Sequence, residues 1–280
     1  MIRISADSTC DLSPEILNKY NIAISPLNIV LDNTVYQDNV NIRPSDVVRF
    51  FEQDNKLCRT SSINVVEYQQ HFEKLLKDSS HILHFSLSSD FSSCYQNAVV
   101  AASDYPNQVY VLNTKNLSTG SGQLVVRAAE MSLSNYPIGE ILSAMKNLVP
   151  KIDASFIINH LDYLAKGGRC SSLTANSAKL LKIKPTIQVQ DGQMHVGKKY
   201  RGSFERSVKN YVNDRLSQVE LYDSDLVFIT HCLCDETIVN EVYDSVLAYN
   251  YFKKIHITHT GSTIATHCGP HTLGIGLLRK

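Results

Sequence analysis

The order of elements in the second half of this chain is set by residues Leu161–Arg169, LDYLAKGGR, and by the segment that follows them. The apolar residues of this stretch share one helical face, and the pair Gly167-Gly168 can take the left-handed backbone geometry that ends a helix. Downstream, Pro185 blocks a helix and favours an extended strand, and Asp191-Gly192 are typical of a two-residue hairpin turn. The sequence therefore predicts a helix and, after it, a tight β-hairpin.

Taken singly, these pieces are ordinary structural elements, and their order is what is unusual. After the glycine pair comes a short helix that Ser171 or Ser172 can cap, then the pattern LxIKPxI, the Asp-Gly turn and a basic segment that ends at Arg201. This order resembles the second half of the DegV family of fatty-acid-binding proteins. The resemblance extends over nearly the whole chain and implies the family's EDD fold, an α/β architecture of two domains.

The composition fits a globular protein with reduced thiols. The 280 residues are 43% hydrophobic, enough to bury a sizeable core in one large domain or two ordinary ones. Seven cysteines, an odd number scattered from Cys10 to Cys268, are typical of a reducing cytoplasm. The first residues lack the apolar core of a signal peptide, and no stretch approaches about 18 consecutive apolar residues. We therefore expect a soluble, cytoplasmic protein and, from the family, a bacterial one.

The charge balance argues against nucleic acid as a partner. Twenty-seven basic and 27 acidic side chains cancel, and the chain has no long run of lysine and arginine. A neutral chain of this kind gains little from the phosphates of a nucleic acid or from an anionic membrane surface. We expect no nucleic-acid partner.

The rhythm of the elements divides the chain in two. Over Ile2–Val149, extended apolar segments alternate with amphipathic helical ones, which favours a parallel sheet covered on both sides. From Ser155 onward, short helices and the hairpin precede longer helices and further strands. We predict an N-terminal α/β domain with a parallel sheet over residues 1–152 and a C-terminal α/β domain with the hairpin over residues 153–280. The glycines of Ser118–Gly122 lie in no phosphate-binding motif, and we interpret them as positions where a helix and a strand approach closely.

The polar loop after the first predicted strand contains Asp7, Ser8 and Asp11. Such loops bind ligands in α/β proteins, because ligands collect beyond the carboxyl ends of parallel strands. The same residue types also serve as local turn and capping groups. The residues alone leave both interpretations open, and the likeness to the DS(T/S) loop of the DegV family favours the ligand.

A cluster of hydroxyl side chains in Cys58–Ser62 precedes a predicted amphipathic helix. One hydroxyl is enough to cap a helix, so we expect one of them to do so and two to be left over. The cluster is similar to the TS motif of the family. This likeness implies that Thr60 and Ser61 face the carboxylate of a bound fatty acid.

A second polar junction, Ser88–Gln96, connects a predicted strand to a helix. Free backbone N–H groups and serine hydroxyls at such a junction can bind an anion. The segment resembles the family pattern SSxxSGTYQ, with Ser92 in the position of the ligand-binding serine. Ser93 stands where that pattern has glycine and Cys94 where it has threonine, so the chain departs from the family here.

The last loop, Gly261–His271, resembles the THTGPG element of the family. The likeness implies that His267 contributes to the carboxylate site and that Arg201 lies close enough to order that site. His271 stands in place of the final glycine, which is a second departure.

Together these likenesses imply a protein that binds a long-chain fatty acid in a tunnel between its domains and is not itself a catalyst. A buried acyl chain contributes about 0.8 kcal/mol per CH₂, and hydroxyl groups offset the cost of burying the carboxylate. The family's role implies a fatty acid kinase catalytic subunit as partner, which phosphorylates the presented carboxylate to an acyl phosphate for phospholipid synthesis. An acyltransferase that uses the acyl phosphate and a transient membrane contact belong to the same expectation. No cofactor is expected besides the bound fatty acid.

Two other classes of protein compete with this interpretation. Ser92 and His267 could serve a Ser/His-dependent esterase acting on a lipid ester, although no G-x-S-x-G motif is present and no acid is clearly placed beside the histidine. A metal protein could use histidines and cysteines of the last third, although no C-x-x-C pair occurs and interior thiols and loop imidazoles are the commoner explanation. These residues are His231, Cys232, Cys234, His256, His259, His267, Cys268 and His271.

Overall fold

The computed structural model describes residues 1–170 and 183–280. The short helix predicted to begin at Ser171 or Ser172 lies outside the described residues. The strands are β1 (Ile2–Asp7), β2 (Ala23–Ser25), β3 (Asn28–Leu31), β4 (Thr34–Gln37), β5 (Arg59–Ser61), β6 (His81–Ser86), β7 (Val109–Asn113), β8 (Ile152–Ile158), β9 (Ile183–Gln190), β10 (Gln193–Arg201), β11 (Leu226–Cys232), β12 (Lys254–His259) and β13 (Thr272–Leu278).

The helices cover the sheets and connect their strands. They are α1 (Pro14–Lys19), α2 (Pro44–Asp54), α3 (Val65–Leu76), α4 (Cys94–Ala102), α5 (Ser118–Leu133), α6 (Ile138–Leu148), α7 (Leu161–Gly167), α8 (Phe204–Leu216), α9 (Glu236–Ala248) and α10 (Ser262–Cys268). Among the described residues, no helix is both long and apolar enough to cross a bilayer.

The first sheet is four-stranded, in the order β2-β1-β6-β7, and every neighbouring pair is parallel. Parallel strands need crossover connections, and helices supply most of them here. The last four residues of β1 and the last five of β6 are buried, as expected for strands covered on both faces. The predicted parallel sheet of the N-terminal part is confirmed.

The second sheet is six-stranded, in the order β10-β9-β8-β13-β11-β12, and only its β11–β12 pair is parallel. Strands β9 and β10 form the predicted hairpin. Its turn residues Asp191 and Gly192 both have positive φ, 50° and 87°, which is the type I′ geometry that matches the twist of a hairpin. The hydroxyl of Ser88 donates to the carbonyl of Gly192 at 2.8 Å, so the hairpin tip is tied to the first half of the chain.

A third sheet, in the order β4-β3-β5, is small and antiparallel. It places Thr60 opposite Ile29 and Ser61 opposite Asn28. The helix that follows is capped by Asn64, whose side chain accepts from the N–H of Glu67. The expectation that a hydroxyl of Cys58–Ser62 caps this helix is therefore wrong, because the amide of Asn64 already does so.

Helix α5 lies between the first two sheets and packs on both. Its first turn contains the glycines of Ser118–Gly122. A Cβ on Gly120 would lie 2.9 Å from the Cβ of Ala154 in β8. The core around α5 contains Leu124, Phe228 and Leu278, side chains from both halves of the chain. The close approach of helix and strand is as predicted. The division between residues 152 and 153 falls one residue into β8 and stays a prediction.

Candidate functional site

A cavity of about 100 Å³, partly open to solvent, lies where β5, the start of α5, α10 and the six-stranded sheet meet. Most of its described lining is apolar. The apolar side chains include Leu27, Leu87, Phe91, Leu117, Phe156 and Ile264, and Val189 and Met194 of the hairpin cover one side. A mainly apolar cavity with a few convergent polar groups is the usual form of a small-molecule site.

Four of the five residues predicted from the sequence line this one cavity: Thr60, Ser61, Ser92 and His267. They come from β5, from the turn before α4 and from α10, and the fold alone brings them together. The hydroxyl of Thr60 lies 2.9 Å from Nε2 of His267. The hydroxyl of Ser61 is exposed and donates to the carbonyl of Ser62 at 3.4 Å, a weak bond that a ligand could replace.

Ser92 is held by Cys94, one of the two residues at which this segment departs from the family pattern. Its hydroxyl donates to Sγ of Cys94 at 3.2 Å and accepts from the backbone N–H of Cys94 at 3.3 Å. Burial raises the pKa of the Cys94 thiol to about 12, so the sulfur is protonated and neutral. Ser93 has φ −75° and an exposed side chain, a conformation that does not require glycine. Neither departure displaces Ser92 from the cavity wall.

His267 is kept neutral by its surroundings. Burial is the main cause and the positive charge of Arg169 is the second; together they lower the pKa of His267 to about 4. Its Nε2 contacts Thr60, while its buried Nδ1 has no hydrogen-bond partner among the described residues. A neutral imidazole that donates through Nε2–H leaves the proton of the Thr60 hydroxyl available to a ligand in the cavity.

The motif LDYLAKGGR builds one side of this site. Helix α7 ends at Gly167, and Gly168 follows it in the left-handed region with φ 70°. A Cβ on Gly167 would lie 2.6 Å from Nδ1 of His267, so only glycine leaves room for the imidazole at this position. Arg169 comes next, lines the cavity and donates to the carbonyl of Gly167 at 2.7 Å.

Arg169 is a cavity residue that reasoning from the sequence missed. Its position directly after the glycine pair was visible, but which way the chain turns after Gly168 was not. Arg201, the fifth predicted residue, is not among the described lining residues: it lies at the end of β10, opposite Ile183, with an exposed side chain. Its assignment to the carboxylate site stays a prediction.

Two buried aspartates from the first half of the chain hold the start of α10. Asp38 accepts from the backbone N–H groups of Ser262 and Thr263 at 2.7 and 3.3 Å, and Asp11 accepts from that of Gly261 at 2.7 Å. Carboxyl oxygens at a helix N-terminus satisfy N–H groups that have no partner within the helix. Because α10 carries His267, these contacts fix the imidazole relative to the first half of the chain.

Burial changes the acidity of these carboxyl groups. It raises the pKa of Asp11 from 3.8 to about 8, and it also raises the pKa of Asp38, against the hydrogen bonds that lower both values. Asp7 differs: the hydrogen bonds from His84, Tyr68 and other donors outweigh burial and lower its pKa. The three aspartates serve internal contacts, and none of them lines the cavity. For Asp7, Ser8 and Asp11, the interpretation as internal turn and capping groups therefore fits better than the ligand interpretation.

His271, the second departure from the pattern, adopts the left-handed conformation for which a glycine is suited, with φ 51°. Its ring centroid lies 6.0 Å from that of Phe204. It is not among the described lining residues, so this departure does not narrow the cavity.

The geometry does not support the two competing classes. In an esterase, Ser92 would donate to His267 and an acid would hold the far ring nitrogen; here Ser92 bonds to Cys94, His267 contacts Thr60, and Nδ1 meets no acid in the part of the chain that the structure describes. Within residues 1–170 and 183–280, no three histidine, cysteine or acidic side chains are grouped so that they could hold a metal ion.

Comparisons with known proteins agree with this fold and cavity. The family model described as "Uncharacterised protein, DegV family" matches residues 1–280. The chain therefore belongs to the DegV family.

A DegV domain-containing protein of Caldanaerobacter subterraneus subsp. tengcongensis is 28% identical over 276 residues, which cover 98% of this chain and 97% of the relative. Among solved structures, a stearic acid-binding protein from Eubacterium ventriosum superposes with a TM-score of 0.87 at 25% identity, covering 100% of this chain and 99% of the other. A fatty-acid-binding DegV family protein from Thermus thermophilus superposes with a TM-score of 0.90 at 23% identity over 100% and 99% of the two chains, which shows the same fold.

Proposed function

We propose that this chain binds a long-chain fatty acid, with the acyl chain in the cavity and the carboxylate at Thr60, Ser61, Ser92 and His267. The observation that supports the proposal is that these four residues, from separate segments, line a single, mainly apolar cavity, with the hydroxyl of Thr60 2.9 Å from Nε2 of His267. The stearic acid-binding relative from Eubacterium ventriosum has the same fold over its full length, which supports the choice of ligand.

The energetics divide between the tail and the head group. Each buried CH₂ contributes about 0.8 kcal/mol, so the apolar wall supplies most of the affinity. A buried carboxylate costs several kcal/mol unless hydrogen bonds replace its water. The hydroxyls of Thr60, Ser61 and Ser92 offset that cost, and the positive charge of Arg169 at the cavity lowers it further.

The position of the head group suits its presentation to a separate enzyme. Ser61 is exposed and Ser92 is half-buried, so a carboxylate held there lies near the surface. Neutral hydroxyl donors leave a carboxylate more nucleophilic than a tight ion pair does. We therefore extend the proposal to a fatty acid kinase catalytic subunit that phosphorylates the carboxylate, with an acyltransferase that uses the acyl phosphate and a transient membrane contact as later steps. Arg201, on the outer end of β10, stays a predicted member of this site.

Binding is tested on the purified protein. Native mass spectrometry and lipid extraction are expected to find one fatty acid per chain retained from the expression host, and isothermal titration after delipidation to give a Kd for oleate. Ser92→Ala is expected to weaken binding about tenfold, since a hydrogen bond to a charged group is lost. Failure of delipidated wild-type protein to bind any saturated or unsaturated fatty acid would rule the proposal out.

Presentation needs a separate experiment. A kinase subunit from the same cell, ATP and oleate are mixed with wild-type protein, and acyl phosphate is trapped with hydroxylamine. Trapped product that depends on this chain supports presentation, and no product in the presence of demonstrated oleate binding removes the kinase from the proposal while leaving lipid binding intact.

A further inference from the structure

Three threonine hydroxyls in the wall of the cavity have no hydrogen-bond partner among the described residues. Thr9 and Thr260 are 1% and 6% exposed, both line the cavity, and neither Oγ1 atom meets a donor or acceptor among the described residues. Buried hydroxyls are nearly always paired, because an unpaired one forfeits its bonds with water. Their lack of partners points to a polar group on whatever fills the cavity.

Four other buried hydroxyls of this wall are paired within the protein. Thr119 and Thr230 are 2.6 Å apart, and Thr272 donates to the carbonyl of Cys268 at 3.0 Å. Ser155 lies 2.9 Å from the hydroxyl of Tyr211. Thr263 also lines the cavity, and its Oγ1 meets no hydrogen-bond partner among the described residues, but it lies close enough to Asp38 to lower the pKa of that carboxyl. Thr9 and Thr260 have no such neighbour.

Thr9 and Thr260 lie on adjoining segments. Thr9 belongs to the turn that ends at Asp11, and Thr260 directly precedes Gly261; the bond of 2.7 Å from Gly261 N–H to Asp11 joins these segments. The backbone N–H of Thr260 also donates to the carbonyl of His231 at 3.0 Å, which fixes its place. The two segments therefore adjoin in the cavity wall, and we call Thr9 and Thr260 together the polar spot.

This spot is well separated from the carboxylate site. From Ser262 to His267, α10 rises 1.5 Å per residue, and Thr260 precedes Ser262 by two more residues, which places the backbone of Thr260 roughly 10 Å from that of His267. That is about half the extended length of a stearate chain, given carbon–carbon bonds of about 1.5 Å. A plain hydrocarbon tail would leave both hydroxyls unpaired at this depth.

We propose that the preferred ligand is a fatty acid with a hydroxyl group near the middle of its chain. Such a hydroxyl can accept from one threonine and donate to the other, which satisfies both Oγ1 atoms at once. The inference rests on the proposed function and specifies its substrate class.

Ricinoleate and oleate test the inference, because they differ only by one hydroxyl near the middle of the chain. Isothermal titration of delipidated wild-type protein is expected to give a Kd about tenfold lower for ricinoleate than for oleate. In Thr9→Val and Thr260→Val the preference is expected to fall, and in the double variant to vanish. The double variant is expected to bind oleate at least as tightly as wild type, since valine keeps the shape of threonine without a hydroxyl.

Thr186→Val is the matched control, because Thr186 is buried, does not line the cavity and donates to the carbonyl of Lys198. It is expected to keep the ratio of the two affinities. Melting temperatures provide a second readout: both cavity variants are expected to melt no lower than wild type, since an unpaired buried hydroxyl is replaced by a methyl group.

Equal affinities of wild-type protein for the two lipids would overturn the inference and leave fatty-acid binding in place, with ordered water as the partner of the two hydroxyls. A preference for ricinoleate that survives in the double variant would overturn the assignment to Thr9 and Thr260. Binding of neither lipid would overturn the proposed function itself.

Discussion

The imidazole of His267 lies directly against the backbone of Gly167: a side-chain carbon at that glycine would come within 2.6 Å of Nδ1. The neighbouring Gly168 has φ 70° and open space around its missing side chain. The two glycines of the motif therefore have different tasks. Gly167 makes room for a site residue, and Gly168 permits the backbone turn that ends α7.

Substitution of each glycine in turn tests the two roles separately. Gly167→Ala is expected to push the imidazole away from Thr60 and to weaken oleate binding about tenfold, since a binding-site hydrogen bond is lost. Gly168→Ala is expected to cost about 1 kcal/mol of folding stability, because alanine is strained in the left-handed region, with little effect on binding. Titration calorimetry and urea unfolding of both variants check this. Equal binding losses in the two variants would show that Gly167 has no special relation to His267.

The depressed pKa of His267 predicts a loss of stability in mild acid. The folded value is about 4 against 6.5 in the unfolded chain, so between these values the unfolded state binds more protons and stability falls as the pH falls. In the variant His267→Gln, the side chain at this position does not titrate in this pH range. Between pH 7 and pH 5 the variant is expected to lose about 1 kcal/mol less than wild type, below the full effect of the shift because the ring is only half-buried.

Urea unfolding at the two pH values measures this difference. The histidines His71 and His231, whose pKa values burial lowers to about 3 and about 4, contribute the same trend to both proteins and cancel in the comparison. An identical pH dependence in wild type and variant would mean that His267 is not shielded from water.

The raised pKa of Asp11 predicts that folding stability falls as the pH rises above neutrality. Its folded pKa of about 8 exceeds its ordinary value of 3.8, so the folded state binds the extra proton and loses stability as the pH rises through 8. In Asp11→Asn the amide oxygen can still accept from Gly261 and the amide nitrogen can donate to Ser118. From pH 7 to pH 9, wild type is expected to lose about 1 kcal/mol more than this variant. Thermal unfolding at both pH values tests the difference, and a larger loss in the variant would contradict it.

Replacement of Cys94 is expected to raise the affinity for oleate slightly. In the free protein its sulfur accepts the hydroxyl of Ser92 at 3.2 Å, and a carboxylate must compete for that donor. Cys94→Ala removes the competitor and is expected to tighten oleate binding about twofold, because a sulfur acceptor is weak. The same change is expected to lower stability by about 1 kcal/mol through the cavity it leaves. Ser92→Ala serves as the control, and weaker binding in both variants would show that Cys94 supports the ligand.

Local features of this fold could be predicted from the sequence, and long-range ones could not. The turn at Asp191-Gly192 and the end of α7 at Gly168 depend on residues whose backbone preferences are visible in the sequence. The small sheet that pairs Asn28 with Ser61 was not foreseen, since 33 positions separate the partners and neither segment is distinctive. Local preference also misled at α3, where the amide of Asn64 replaced the expected hydroxyl cap.

The same limit applies to the site. Thr60, Ser92 and His267 could be named because each lies in a motif that resembles a known family. Arg169 and Thr260 could not, because only the packed structure shows which way their side chains turn and whether an internal partner exists. A threonine that is unpaired when buried looks, in the sequence, like any other threonine.

The anchoring of α10 by Asp11 and Asp38 has a consequence for the design of chimeric proteins and for evolution by recombination. The helix that carries His267 is built from the last part of the chain, yet its first turn is completed by carboxyl groups that lie more than 200 positions earlier in the sequence. A chimera that joined the opening half of one relative to the closing half of another would have to preserve both junctions for its imidazole to be correctly placed. Recombination between relatives is therefore tolerated only where these distant partners are inherited as a set.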